Sequence, residues 1–323
     1  MSVSQDLPPS SQSLASDVSA LFQNPKKYEE LNVIGTGAYG TVYKARDLQN
    51  GGQVVAMKKV KVAITEDGIP LSTLREIALL RQLEAYRHPN IVRLLDVCHG
   101  APSVERDQQL LLYLVFEHVE QDLESYLKRS PGPLSENRIR SMSHDILSGI
   151  DFLHSHRIVH RDLKPHNLLV TSAGRVKLAD FGLAKTYDTE MKLTSVVVTL
   201  WYRPPEVLLG VSYNTAVDVW SCGCVLAQLH TRSPLLPGTS DSDQLHCIFR
   251  LIGRPSRREW PEAASVMPDS FPDYPPTNLA DVLPNIHPQA LDLIRGMLVF
   301  DPTKRLTALD CLEHPYFTDE PLT

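Results

Sequence analysis

The residues best suited to chemistry lie between Ile158 and Gly182, in the stretch IVHRDLKPHNLLVTSAGRVKLADFG. Asp162 and Asp180 are eighteen residues apart, with Lys164 and Asn167 following the first. A carboxylate to accept a hydroxyl proton, with an Asp and an Asn to hold magnesium, is what phosphoryl transfer needs. The elements between the two acids must bring them together. Leu168–Val170 and Val176–Ala179 are short apolar runs, and Ser172, Ala173 and Gly174 between them supply a turn. The spacing predicts a hairpin whose open end sets Asp162 and Asn167 opposite Asp180.

A second group lies upstream. YEELNVIG, TVYKARD and QVVAMKKVKV read as strands, with hairpin chemistry in Leu48–Gly52. Between the first two lies Gly35-Thr36-Gly37-Ala38-Tyr39-Gly40, whose glycines let backbone N–H groups approach phosphates. These glycines precede a strand rather than a helix, which excludes a dinucleotide-binding turn. Lys58 follows Gly40 by eighteen residues. It shares a strand face with Val54 and Ala56, and the small Ala56 leaves room for a flat ligand; Lys59 alternates to the other side as the expected surface lysine. A helix is expected from Pro70 to Ala85, with Leu74, Ile77, Leu80 and Leu83 on an apolar face that Ala78 and Leu79 widen. Glu76 beside that face can pair with Lys58 and aim it at phosphates. The strand LLLYLVF ends in Glu117-His118-Val119, a segment whose backbone suits an adenine edge.

Beyond this point the chain turns helical. Helices are expected over Asp122 to Lys128, along Ile139, Met142, Ile146, Ile150 and Leu153 as far as His154–Arg157, and over Ala216–Thr231, Gln244–Ile252 and Ala290–Phe300. Leu183 to Thr199 reads as a mobile polar loop. Residues 255–288 are Pro-rich and read as irregular surface structure, and Pro315-Tyr316-Phe317 as a terminal anchor.

Composition narrows the function classes. The 323 residues suffice for two packed lobes, and a net charge of −6 offers no basic field for nucleic acid. The longest apolar run, Leu110–Phe116, is too short to span a membrane. Five cysteines form no paired metal spacing, and Cys222-Gly223-Cys224 reads as buried thiols on a core helix. The first 24 or so residues, rich in Ser, Gln and Pro, read as a disordered leader covering 1–27, with no signal-peptide pattern.

From Tyr28 to Phe317 the chain resembles a eukaryotic Ser/Thr protein kinase. The glycine-rich turn, AMK, the helix glutamate, HRDLKPHN, DFG and PPE in place of APE occur in order at that family's spacings. It is most similar to the cyclin-dependent group, and within it to the subgroup numbered four and six, which pairs with D-type cyclins. PLSTLRE, LVFEHVEQDL and LTSVVVTLWYR carry that likeness. The implied fold is α+β and bilobal: a small, mostly antiparallel β lobe with one regulatory helix (about 28–118), a larger, mainly helical lobe (about 119–317), and a tail over 318–323.

The resemblance also implies roles. Asp162, Lys164 and Thr199 would serve catalysis, and Asn167 and Asp180 would hold Mg2+. ATP would meet Ile34, Gly35, Thr36, Gly37, Ala38, Tyr39, Gly40, Thr41, Val42, Ala56, Lys58, Glu76, Phe116, Glu117, Val119, Asp122 and Leu169. Thr194 matches the activating phosphosite, with Arg75, Arg161 and Lys185 as its phosphate partners, and Tyr39 an inhibitory one. Pro70, Leu71, Ser72, Thr73, Leu74, Arg75 and Glu76 match the cyclin-facing helix. If Val198 has positive φ like its counterpart, its carbonyl turns away from the residue after the phosphoacceptor, and a proline there loses nothing. Ser/Thr-Pro substrates follow, retinoblastoma-type proteins and G1/S control among the family's associations, with ankyrin-repeat inhibitors as further partners and residence in nucleus and cytoplasm. The alternative is a catalytically weak kinase-fold scaffold that binds cyclin or inhibitor.

Four positions depart from the group. Lys185 stands for Arg, Ser195 for the Pro of the nearest relatives, His166 for Glu or Gln, and Pro204 for Ala. None removes a catalytic group. Glu206 and Arg305 match a buried bracing pair.

Overall fold

The computed structural model describes residues 27–37, 40–63, 71–99, 109–180, 185–186 and 200–319. Residues 1–26 of the expected leader, Ala38, Tyr39, Pro70, the loop with Thr194, Val198 and Thr199, and the tail from 320 lie outside the described residues. Two compact units divide the chain: residues up to Arg87 with Val92–His118, and His88–Ile91 with Val119 onward.

The first unit is a five-stranded antiparallel sheet in the order β1-β2-β3-β5-β4. Its strands are β1 (Tyr28–Gly37), β2 (Gly40–Asp47), β3 (Gln53–Ala63), β4 (Leu94–His99) and β5 (Gln109–Glu117). Alternation along β3 sets its faces. Val55 and Met57 turn inward onto Tyr28, Ala45, Cys98 and Val115, leaving Ala56 and Lys58 on the opposite face. Asp47 ends β2 by accepting from the amides of Gln49 and Asn50, and Gly51 and Gly52 take positive φ to close the turn. The one helix described in this unit, α1, runs Leu71–Tyr86. Ile77, Leu80 and Leu83 are buried as expected, but Ala78 is exposed. Ala78 lies about 160° around the helix from Leu80, so the apolar face is narrower than its run of apolar residues suggests.

The second unit is mainly helical. It opens with β6 (Gln121–Asp122), α2 (Leu123–Arg129) and α3 (Glu136–Ser155), then β7 (Ile158–Val159) and the hairpin of β8 (Leu168–Val170) and β9 (Val176–Leu178). β10 (Lys185–Thr186), α4 (Pro205–Leu208), α5 (Ala216–Thr231), α6 (Asp241–Ile252), α7 (Leu279–Val282), α8 (Pro288–Met297), α9 (Ala308–Leu312) and α10 (Pro315–Thr318) follow. α5 is buried on every side from Val217 to Leu229, as a helix apolar all round should be, and α3 and α8 pack against it. Cys222 and Cys224 are buried within it, and burial pushes the Cys224 thiol up to about 12.

Residues 255–288 correct the surface expectation. Trp260, Phe271, Leu279 and Leu283 are buried, and the rings of Trp260 and Phe271 pack on Phe249 at 5.6 and 5.0 Å. The stretch has little regular structure, so no periodicity announced its core residues. At the C-terminal end Tyr316 and Phe317 are buried and Tyr316 Oη donates to Glu136 at 2.6 Å, an anchor as expected.

Candidate active site

Asp162 sits between β7 and a 3-10 turn, Pro165–Asn167. It is 6% exposed. Lys164 Nζ donates to its Oδ2 at 2.9 Å, and Asn167 Nδ2 donates to its Oδ2 at 2.9 Å and to its carbonyl at 2.7 Å. The other carboxylate oxygen, Oδ1, is buried with no hydrogen-bond partner among the described residues. A buried carboxylate oxygen left unpaired costs stability. One oxygen is therefore held by the protein, and the other is left for a donor such as a substrate hydroxyl.

The hairpin forms as its sequence implies. Leu168 pairs with Leu178 and Val170 with Val176. Gly174, at φ 80°, turns the chain where a side chain would strike Arg138. At the open end Ala179 N donates to Asn167 O at 2.9 Å. His160 Nδ1 accepts from Asp162 N at 3.3 Å, so Nε2 carries the proton and donates to Ala179 O at 2.9 Å. Asp162, Asn167 and the residue before Asp180 are thus tied into one network. Asp180 is exposed and has φ 60°, the left-handed region in which Asp is tolerated better than most residues.

These groups suit a divalent cation. Asn167 gives its amide hydrogens to Asp162, so its side-chain carbonyl is the group it can turn to a metal. No cluster of three or more His, Cys, Asp or Glu suited to a metal occurs among the described residues. One carboxylate and one amide oxygen match magnesium, which takes its other ligands from water and phosphate.

In the first unit, Gly35 pairs with Val42, Val42 with Lys58, and Ala56 with Phe116. Neighbouring strands therefore gather the residues expected to meet ATP there. Thr36 pairs with Thr41, and Ile34 is exposed on β1. At Gly40, φ is 131° and a Cβ would lie 2.1 Å from the Lys59 carbonyl oxygen, so only glycine fits. Lys58 and Lys59 are both half-buried; Lys59 Nζ lies 5.7 Å from the Tyr113 ring, so it is less a surface lysine than expected. Glu117 Oε1 accepts from Arg93 N at 2.8 Å. Arg75 and Glu76 fall within α1, but their side chains lie outside the described residues, as do those of Leu71, Ser72 and Lys185. Thr73 is half-buried and Leu74 is 37% exposed.

In the second unit, Val119 precedes β6 and Leu169 lies in β8, both half-buried. Asp122 caps α2, accepting from Ser125 N at 2.8 Å and Ser125 Oγ at 2.7 Å. Arg161 has φ 73°, and its Nε donates to Tyr213 Oη at 2.9 Å.

Two groups supporting the site were missed in the sequence. Asp218, on α5, is 1% exposed and accepts from the amides of His160 and Arg161, each at 2.9 Å. His154 Nε2 lies 2.9 Å from the same carboxylate. Asp218 follows Asp162 by 56 residues, and only its acid character inside an otherwise apolar helix could have marked it. Tyr213, the Arg161 partner, had no such signal. The expected Glu206–Arg305 pair is present and bidentate, at 2.8 and 3.1 Å.

Residues 28–317 match the protein kinase domain. The chain belongs to the protein kinase family. It is 52% identical to cyclin-dependent kinase 4 of Xenopus laevis over 296 residues, covering 91% of this chain and 92% of the relative. The rat and bovine proteins of that name are 49% and 50% identical, covering 91% and 90% of this chain and 97% and 96% of theirs. The activity is that of a serine/threonine protein kinase, and the β lobe and helical lobe are that family's architecture. Membership in it brings ATP as the phosphoryl donor.

Proposed function

We propose that this chain is a cyclin-dependent, proline-directed kinase that transfers the ATP γ-phosphoryl group to Ser or Thr followed by Pro. The observation that carries the reading is the Asp162 carboxylate, with one oxygen held by Lys164 and Asn167 and the other buried and unpaired. Oδ1 orients the substrate hydroxyl and takes its proton as the oxygen attacks phosphorus. Lys164, released in part from Oδ2, offsets charge on the transferring group, and Thr199 helps place the hydroxyl. Asn167 and Asp180 would hold Mg2+, which when bound offsets charge on the ATP phosphates. Lys58 holds the α- and β-phosphates with Glu76 behind it. The glycine-rich turn from Ile34 to Val42 covers them, and Ala56, Phe116, Glu117, Val119, Asp122 and Leu169 take the nucleoside.

Control follows from charge. Phosphate on Thr194 adds about −1.5 to −2 units and draws in Arg75, Arg161 and Lys185, whereas phosphate on Tyr39 obstructs the nucleotide. The likeness to kinases named cyclin-dependent supports a cyclin partner, D-type by subgroup, seated on residues 70–76. Retinoblastoma-type substrates, action at G1/S, ankyrin-repeat inhibitors and residence in nucleus and cytoplasm belong to the same reading. Asp162→Asn keeps the shape but removes the proton acceptor. We expect it to bind ATP normally and to lower kcat on a Ser-Pro peptide by about 10²–10⁴, while a Ser-Ala peptide is a poor substrate for the unaltered chain. Full turnover by Asp162→Asn, or equal rates on the two peptides, would contradict the assignment.

A further inference from the structure

The turn end of the β8–β9 hairpin is fastened to α3 by a buried carboxylate. Asp145 is 1% exposed. Its Oδ1 accepts from Arg175 Nη2 at 2.5 Å, and its Oδ2 from Arg175 Nε and Val176 N, each at 2.9 Å. Arg175 itself is 57% exposed over its side chain. It acts as a lid over a carboxylate that is otherwise enclosed.

A hairpin with three residues per strand is marginal alone. Here outside contacts fix it. Asp145 holds Val176 N; Asn90 donates to Val176 O at 2.9 Å and accepts from Leu178 N at 2.8 Å. Gly149 leaves room for Leu178, since a Cβ there would stand 2.6 Å from Leu178 Cδ1. Two residues beyond Leu178 comes Asp180. A shift at Val176 therefore has only three residues, Lys177 to Ala179, in which to dissipate before it reaches that acid.

We propose that the Asp145–Arg175 pair is a positioning clamp that sets the divalent-cation affinity of the nucleotide site through β9. The inference rests on the assignment of Asn167 and Asp180 as the cation-holding residues. The clamp touches neither nucleotide nor substrate. It keeps β9 in the register that presents Asp180 to Asn167, and removing a support of this kind weakens cation binding.

The test uses the full chain. Mn2+ is titrated into the ATP-saturated protein and followed by electron paramagnetic resonance, and the Mg2+ concentration at half-maximal phosphotransfer is measured for the phosphorylated cyclin complex. Arg175→Ala should raise both concentrations measurably but by less than the roughly 10–100-fold that follows loss of a group bonded directly to a metal ligand, and Arg175→Lys should recover part of the loss. Asp145→Asn should behave like Arg175→Ala if it folds; Arg175→Ala, altering an exposed side chain, decides if it does not. A lower melting temperature with both cation midpoints unchanged would overturn the clamp and leave the kinase reading standing. Failure of the unaltered protein to transfer phosphate would overturn the kinase reading instead, and the Mn2+ titration would still test the clamp.

Discussion

Asp218 gathers the His160 and Arg161 amides and the His154 imidazole around one buried carboxylate. Burial alone raises its pKa. The His154 hydrogen bond, the electrostatic influence of the neighbouring His154 and His160 rings and the Arg161 amide outweigh that and hold it below its ordinary value. A carboxyl depressed in this way contributes stability above its unfolded pKa and loses it as the pH falls through the folded value. Stability of the unaltered protein should therefore fall as the pH drops below about 5. Asp218→Asn should be less stable at neutral pH and show a flatter acid slope; equal slopes in pH-resolved melts would contradict this. Asp162 and Asn167 are legible in the sequence because a short motif carries both and their bonds are local. Asp218 was not, because its partners lie about 60 residues away and nothing in a linear string couples them.

At the scale of elements, the hairpin, the sheet and the long helices follow from alternation and spacing, since backbone pairing obeys the same periodicities. Helix ends and faces follow less well. α6 begins at Asp241, three residues earlier than its apolar pattern, because Ser240 caps it by accepting from Asp243 N. Residues 255–288 place Trp260 and Phe271 in the core without regular structure, and packing of this kind leaves no periodic trace. Glu206 in α4 and Arg305 show what a correct long-range expectation implies. Arg305 is fully enclosed and also donates to the carbonyls of Ala216 and Val299. Glu206→Ala leaves that guanidinium buried without its counter-charge, which should cost about 3–5 kcal/mol. Denaturant unfolding measures it, and a loss below about 1 kcal/mol would mean that the carbonyls alone hold the arginine.

At the scale of the whole molecule, the catalytic loop forms an ordered unit in which Asp162, Lys164, Asn167 and the approach to Asp180 are joined by short bonds. The proposed controls, Thr194 and the 70–76 segment, lie elsewhere in the chain sequence. On this account the catalytic loop is preassembled, and a cyclin with a phosphate on Thr194 supplies the remaining alignment. The most direct measurement is the rate of phosphate transfer from ATP to a Ser-Pro peptide by the Thr194-phosphorylated chain, alone and with a D-type cyclin. Transfer should be near background alone and robust with the cyclin. Equal rates in the two, or no transfer with any cyclin, would contradict it.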